Sequence, residues 1–276
     1  MIRTFSDFNE FQSAARELGI EVDLQALTVL DTLFFETYKN YLIINARDHS
    51  ENPNNLLILS KENNLFYGQK QFTSKDYKMF RLSLRNPFGE STVLAFLALQ
   101  EVMNNYSTRF ESLHNELDEA EKKLDVDKLD SLSRAFRKLA DRLEDFLDLL
   151  IKLEDRKFQQ VRTNYISYDY DVLLAKTRHL LDRSRNQLGR ISGLRNELEI
   201  KETRKLNERI SNLTLVMKRL TALTVILMIP TIITSHYGMN FPAPEFQWEY
   251  GYLFATVLSL VIMFGVVVFF KKKDWL

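Results

Sequence analysis

Gly238, Met239 and Asn240 open a short polar stretch, Ser235 to Tyr252 ("SHYGMNFPAPEFQWEYGY"), that separates two runs of nearly pure hydrocarbon. An amide and an unhindered glycine carbonyl at that mouth supply oxygen acceptors without charge. Such oxygens can take hydrogen bonds from the waters of a hard cation that sheds its hydration shell reluctantly. A carboxylate in place of Asn240 would bind more strongly but release too slowly, and conduction needs entry and exit in balance. Glu245 and Glu249, further along the loop, would raise the local cation concentration. The chain has no Cys, which excludes disulfides and thiolate metal sites, so any metal must be held by oxygen or nitrogen. His49, His114 and His179 stand singly and give little support to a His-based site. His236 reads as an interfacial side chain, because one His per subunit makes a poor metal cage.

The elements that must position this mouth follow from the flanking runs. Leu220 to Ser235, "LTALTVILMIPTIITS", contains no charge, and Tyr252 to Phe270 is a second uncharged run. A helix crossing the hydrocarbon layer needs about 17–25 residues. The second run qualifies alone, and the first does so with the helix that feeds it. Lys218 and Arg219 precede the first span, Lys271, Lys272 and Lys273 follow the second, and the loop between them has neither Lys nor Arg. The positive-inside rule then places both termini in the cytoplasm and the loop outside. Tyr237, Trp248, Tyr250 and Tyr252 gather where aromatic rings favour the headgroup level.

The first span carries a polar stripe. Thr214, Met217, Leu220, Thr224, Met228, Thr231 and Ser235 recur at three- and four-residue steps and share one helical face. A stripe of this kind packs on another helix or lines water, and packing is the commoner cause. Two features shift the balance towards water. The stripe ends at Gly238–Asn240, and a ring of chains can enclose a pore that two spans cannot. Pro230 frees a backbone carbonyl inside the span and permits a bend.

With 37 basic and 37 acidic residues there is no net charge to suggest a nucleic-acid partner. A mean hydropathy of −0.23 averages a charged chain with an apolar end. The opening "MIRTFSDFNEFQSAARELG" has no apolar core, so no signal peptide is expected. No Pro occurs between Pro87 and Pro230, which predicts long helices. Leu132, Phe136, Leu139, Leu143, Phe146, Leu150 and Leu153 form a heptad seam, and Leu113, Leu117, Ala120 and Leu124 repeat the pattern. Two antiparallel helices are expected near 91–124 and 127–162. A third should run from about Val172 into the membrane, about 60 residues or roughly 90 Å long. So long a helix needs partners, and copies of itself supply them. Within the first 90 residues "TYKNYLIINA" and "NLLILSKENNLFYG" read as strands with a turn at Glu62–Asn64, and "DLQALTVLDTLFFE" reads as helical. No catalytic motif appears, so an enzyme is not expected.

These residues resemble the CorA family of divalent-cation transporters. "YGMN" at Tyr237–Asn240 is similar to that family's signature, and "VMKRLT", "MIPT", "PEFQWEYGY" and "KKKDWL" follow in the family's order. The resemblance is strong over Thr214–Leu276 and architectural before it. It implies an α+β membrane protein and a homopentamer in the plasma membrane. Its parts would be an α/β cytoplasmic domain (1–90), an antiparallel helical pair (91–163) and a funnel or stalk helix (164–219). A pore-lining span (220–237), an external loop (238–251), a second span (252–270) and a basic tail (271–276) would follow.

The same resemblance implies Gly238, Met239 and Asn240 as the outer ion site, with Asn240 the metal-facing residue. It implies the stripe from Thr214 to Ser235 as the pore face, with Leu220 and Met228 as its apolar constrictions, and Lys271–Lys273 as an inner basic ring. The transported ion would be magnesium, with cobalt or nickel as substitutes; no cofactor is expected, and the partners are further copies, lipids and divalent cations. Thr214 stands where the family often has Asn, and the loop from Asn240 to Glu245 is shorter than usual. Glu116, Asp118, Glu119 and Glu121 form an acidic cluster without an assigned role. The alternatives are a zinc or other divalent-cation transporter of the same family and a non-conducting scaffold or sensor anchored in the membrane.

Overall fold

Five consecutive buried residues in each of two strands, β3 (Tyr41–Arg47) and β4 (Asn54–Ser60), make the centre of the first structural unit, residues Met1–Asn196. The computed structural model describes the chain except for residues 31, 49–53, 124–125, 157, 240–248 and 276. Runs such as Leu42–Ala46 and Leu56–Leu59 lack polar alternation because both sheet faces are covered. Edge strands β1 (Ile2–Phe5) and β2 (Phe34–Thr37), with β5 (Asn64–Tyr67), complete the order β1-β5-β4-β3-β2. Only the β1–β5 pairing is parallel; the others are antiparallel. Helices α1 (Phe8–Glu17) and α2 (Leu24–Val29) cover one face through Phe11, Ala15, Leu24 and Leu27, packed on Ile43, Leu56, Ile58 and Leu65. Asp7 and Asp23 cap them by accepting from backbone N–H groups of their first turns.

Two local readings change. "DLQALTVLDTLFFE" divides into α2 and β2, because Phe35 and Glu36 pair with Ile44 and Ile43 of β3. The β4–β5 turn lies one residue earlier than Glu62–Asn64. Asn64 already belongs to β5, is fully buried, and accepts from the Ser60 N–H at 3.0 Å.

After the single turn of α3 (Ser74–Tyr77), the other sheet face meets α4 (Gly89–Lys123), whose opening residues Ser91–Leu99 are all buried. Gly89 starts this helix so close to the preceding turn that a Cβ would lie 2.0 Å from the Ser83 carbonyl oxygen. Helix α5 (Val126–Asp155) returns antiparallel, as the ring pairs Tyr106–Phe146 and Phe110–Phe136 show. The seven seam residues of α5 from Leu132 to Leu153 are all buried. So are Leu113, Leu117 and Ala120, while Leu124 lies outside the described residues. Helix α5 ends at Asp155 rather than near 162, and α6 begins at Ser167 after one turn of 3-10 helix at Thr163–Ile166.

Arginines fix α6 on this pair. Arg183 meets Glu111 at 3.3 Å and Arg190 meets Asp118 at 2.9 Å, so α6 keeps constant register with α4 over two turns. Arg185 pairs with Glu144 and Arg195 with Asp130, running down α5 as α6 ascends. Such exposed pairs contribute about 0–1 kcal/mol each and select register more than they stabilise. Below them Tyr170 donates its hydroxyl to the Leu150 carbonyl at 2.7 Å in a buried site. Burial, then the charge of Glu154, raises the Tyr170 pKa. The unfolded phenol ionises near pH 10 while the folded one stays neutral, so its contribution is present below about pH 10 and is lost as pH rises. Tyr170→Phe should lower stability by about 1 kcal/mol and the thermal midpoint by about 2–4 °C, and it should flatten the decline above pH 10. Thermal circular dichroism across pH checks both.

Helix α6 (Ser167–Tyr237) contains 71 residues and continues into the second unit, Glu197–Leu276. Gly189 and Gly193 lie inside it without interrupting it. From 199 to 217 every residue is exposed. Helix α7 (Gly251–Lys272) completes the second unit. Both helices contain segments long and apolar enough to cross a membrane, and each such segment is 11% buried.

Candidate functional site

The two apolar helices meet through a small cluster in which Ala222, Ile226 and Phe270 are buried and Met263, Val266, Val267 and Trp275 pack around them. At 100° per residue, Thr214, Met217, Leu220, Thr224, Met228, Thr231 and Ser235 fall within an arc of about 120°. Ala222 and Ile226 lie on roughly the opposite side of the helix. Helix α7 therefore docks on the rear of α6, and all seven stripe residues remain exposed. Leu220 is 63% and Met228 56% exposed, values expected of residues covered by something other than their own chain.

The stripe hydroxyls have a fixed polarity. Thr214 donates to the Ile210 carbonyl at 2.8 Å, Thr224 to Leu220 at 2.9 Å and Thr231 to Leu227 at 3.0 Å. With each proton committed to its own helix, the remaining capacity of each oxygen is to accept. Pro230 sits within α6, and its missing N–H leaves the carbonyl four residues earlier without its helical donor. Thr234 donates to the Pro230 carbonyl at 2.9 Å one turn above.

Helix α6 ends at Tyr237 as its carbonyls turn to the signature segment. The Gly238 N–H donates to Thr234 at 2.9 Å and to Ser235 at 3.2 Å, and the Met239 N–H donates to His236 at 3.3 Å. A Cβ on Gly238 would lie 3.3 Å from the Thr234 carbonyl oxygen, tighter than a side chain normally packs. Gly238 and Met239 are exposed. Asn240 and Glu245 lie outside the described residues, whereas Glu249 is described and exposed just before α7. Lys271, Lys272 and Lys273 are exposed at the far end of α7.

One signal was missed in the sequence. Leu206, Ile210, Leu213, Met217 and Leu220 keep alternating four- and three-residue steps and are 51–67% exposed. By the same rotation they share the face of the stripe, and Leu206, Ile210 and Leu213 extend it about two turns back along α6. The charges between them hide this seam from a hydropathy reading.

The acidic cluster is engaged within the first unit. Asp118 and Glu121 both hold Arg190, Glu116 accepts from Ser112, and Glu119 lies 4.0 Å from Lys128. Burial works against the Arg190 charge, but the bonds to Glu121 and Asp118 outweigh it and leave its pKa raised. His114 stacks on Phe110 and approaches Asp118 at 3.9 Å. No group of three or more His, Asp or Glu able to hold a metal occurs among the described residues.

An α/β domain, a helical pair and a long helix that carries the first of two apolar segments make an architecture suited to a two-span membrane protein. The family model of the CorA-like Mg2+ transporter protein matches residues 12–272, and the chain belongs to that family. A magnesium transport protein CorA of Helicobacter pylori is 45% identical over 62 residues, 22% of this chain and 20% of that relative's length. One from Pectobacterium atrosepticum is 24% identical over 290 residues, covering all of this chain and 84% of the relative. Among solved structures, the complete CorA magnesium transporter from Methanocaldococcus jannaschii superposes with a TM-score of 0.61 at 21% identity, covering 100% of this chain and 90% of that one. The full-length CmaX protein gives 0.61 at 14% identity, covering 99% and 86%. At these identities the structures establish the fold.

Proposed function

We propose that the protein is a channel-like magnesium transporter of the plasma membrane, a homopentamer with both termini in the cytoplasm. The observation that carries this reading is the division of α6 into two sides. Its rear holds α7, while its polar face and the apolar seam continuing from it are unpartnered in a single copy. Five copies turned inwards would cover that seam and line a pore with Thr214, Thr224, Thr231 and Ser235. The hydroxyls of Thr214, Thr224 and Thr231, whose protons are committed to their own helix, suit a hydrated cation, whose waters point their protons outwards.

In this reading the ring of Gly238, Met239 and Asn240 recognises the outer water shell of magnesium, with cobalt or nickel as substitutes. Glu245 and Glu249 gather cations outside, and Lys271–Lys273 surround the inner mouth. Leu220 and Met228 close the passage by dewetting. The magnesium transport proteins CorA matched by sequence support the choice of ion.

Native mass spectrometry in mild detergent should show a pentamer. Leu213→Asp with Met217→Asp, which places charges on the seam, should yield smaller species. A parent that remains monomeric or dimeric would remove the pore.

A further inference from the structure

The chain does not simply trail off after the second span. The Trp275 N–H donates to the Phe270 carbonyl at 3.1 Å and the Asp274 N–H to the Lys271 carbonyl at 3.3 Å. Asp274 sits at φ 53°, in the left-handed region. This pair of bonds around a left-handed residue is the Schellman termination of a helix, and an apolar contact between its two ends normally accompanies it. Here that contact is aromatic. Trp275 stacks on Phe270 with ring centroids 5.5 Å apart and 22° between planes. Phe270 is in turn buried with Ala222 and Ile226.

Glycine usually occupies the left-handed position, because other residues strain there. Asp tolerates it better than most, and something must still hold the turn. The stacked indole supplies that hold. The turn also leaves Lys271, Lys272 and Lys273 exposed while their flanking rings stay packed.

We propose that Trp275 is a positioning residue for the pore: a C-terminal clasp that, through Phe270, fastens α7 to the rear of α6 at Ala222 and Ile226. Those two residues interleave in sequence with Leu220, Thr224 and Met228 on the opposite side of the same turns. Clamping the rear therefore sets the rotation and tilt of the constriction. The proposal rests on the pore reading of the stripe, but the clasp has its own readout.

The chain contains two Trp, so Trp248→Phe leaves Trp275 as the sole indole. In vesicles this reference protein should resist quenching by aqueous acrylamide and be quenched by lipids brominated along their tails. Asp274→Val places a β-branched residue where φ is positive. It should open the turn and expose the indole to acrylamide with the pentamer intact. In the same background Trp275→Ala and Asp274→Val should change the rate of magnesium uptake at fixed potential by about 2- to 12-fold, which is what an aromatic pair of about 0.5–1.5 kcal/mol converts to. Trp275→Phe should stay near the reference. Equal acrylamide quenching in the reference and Asp274→Val proteins would show that there is no clasp. Equal uptake in Trp275→Ala and Trp275→Phe would show that the clasp does not position the pore. If the reference protein carried no ion, the transport reading would fail, and the quenching comparison would still decide whether the turn is closed.

Discussion

Asn240→Ala is expected to bring magnesium uptake down to the background of protein-free vesicles while the pentamer survives. In the proposed reading the amide supplies an acceptor for the ion's water shell, while the seam proposed to join subunits lies earlier on α6, from Leu206 to Leu220. Each such hydrogen bond contributes about 0.5–1.5 kcal/mol. Removing five around a ring thus costs about 2.5–7.5 kcal/mol, at least about sixtyfold in occupancy of the mouth. Hexaammine cobalt, which resembles hydrated magnesium but cannot shed its ligands, should block the parent and lose its hold on the variant. Isotope uptake with native mass spectrometry on the same preparation separates conduction from assembly. Undiminished uptake would reduce Gly238–Asn240 to a turn that ends α6.

Met228→Ser should act in the opposite direction and raise the leak. In the proposed channel-like reading the ion runs downhill. For a divalent ion the membrane potential contributes about 4.6 kcal/mol per 100 mV, twice the single-charge value. That sustains an inward gradient of roughly a thousandfold at equilibrium, so such a pore needs a closing device. An apolar side chain the size of Met contributes about 1.5–3 kcal/mol on leaving water. Replacing it with a hydroxyl should wet the constriction and increase leak by about ten- to hundredfold. Uptake in vesicles without ATP should follow the imposed potential. A requirement for ATP, or indifference to potential, would overturn the channel-like mechanism while leaving the fold intact.

The features legible in the sequence were those with a strong period or a sharp change in composition. The buried seam of α5 and the two uncharged runs are of this kind, since a helix repeats its burial every three or four residues. Strand β2 was not legible. Phe34 and Phe35 continue the apolar pattern of α2, and only pairing with Ile44 and Asn45 of β3 separates them from it. The early end of α5 has the same origin, because tertiary contacts of the following segment decide it. Ser91 donates to the Gln160 carbonyl, and Thr92 accepts from the Arg162 N–H at 2.9 Å. At the site, the stripe was readable and its rear was not. Ala222 and Ile226 look like any other apolar positions until Phe270 and Trp275 are placed against them. The seam from Leu206 to Met217 was present in the residue types but diluted by charges. Trp275 was readable only as part of a tail, because its role depends on the φ angle of Asp274.

The exposed helical stretch from 199 to 217 also bears on the life of a single copy. An unsupported helix of that length is marginal in water and frays readily. Lys201, Arg204, Lys205 and Arg209 lie within it, so an orphan copy displays a row of cleavable bonds on a segment that opens easily. In the proposed pentamer neighbouring copies would cover Leu206, Ile210 and Leu213, and opening would then require the ring to come apart. The same residues would then distinguish a finished pentamer from a stray subunit, which proteolysis would remove first.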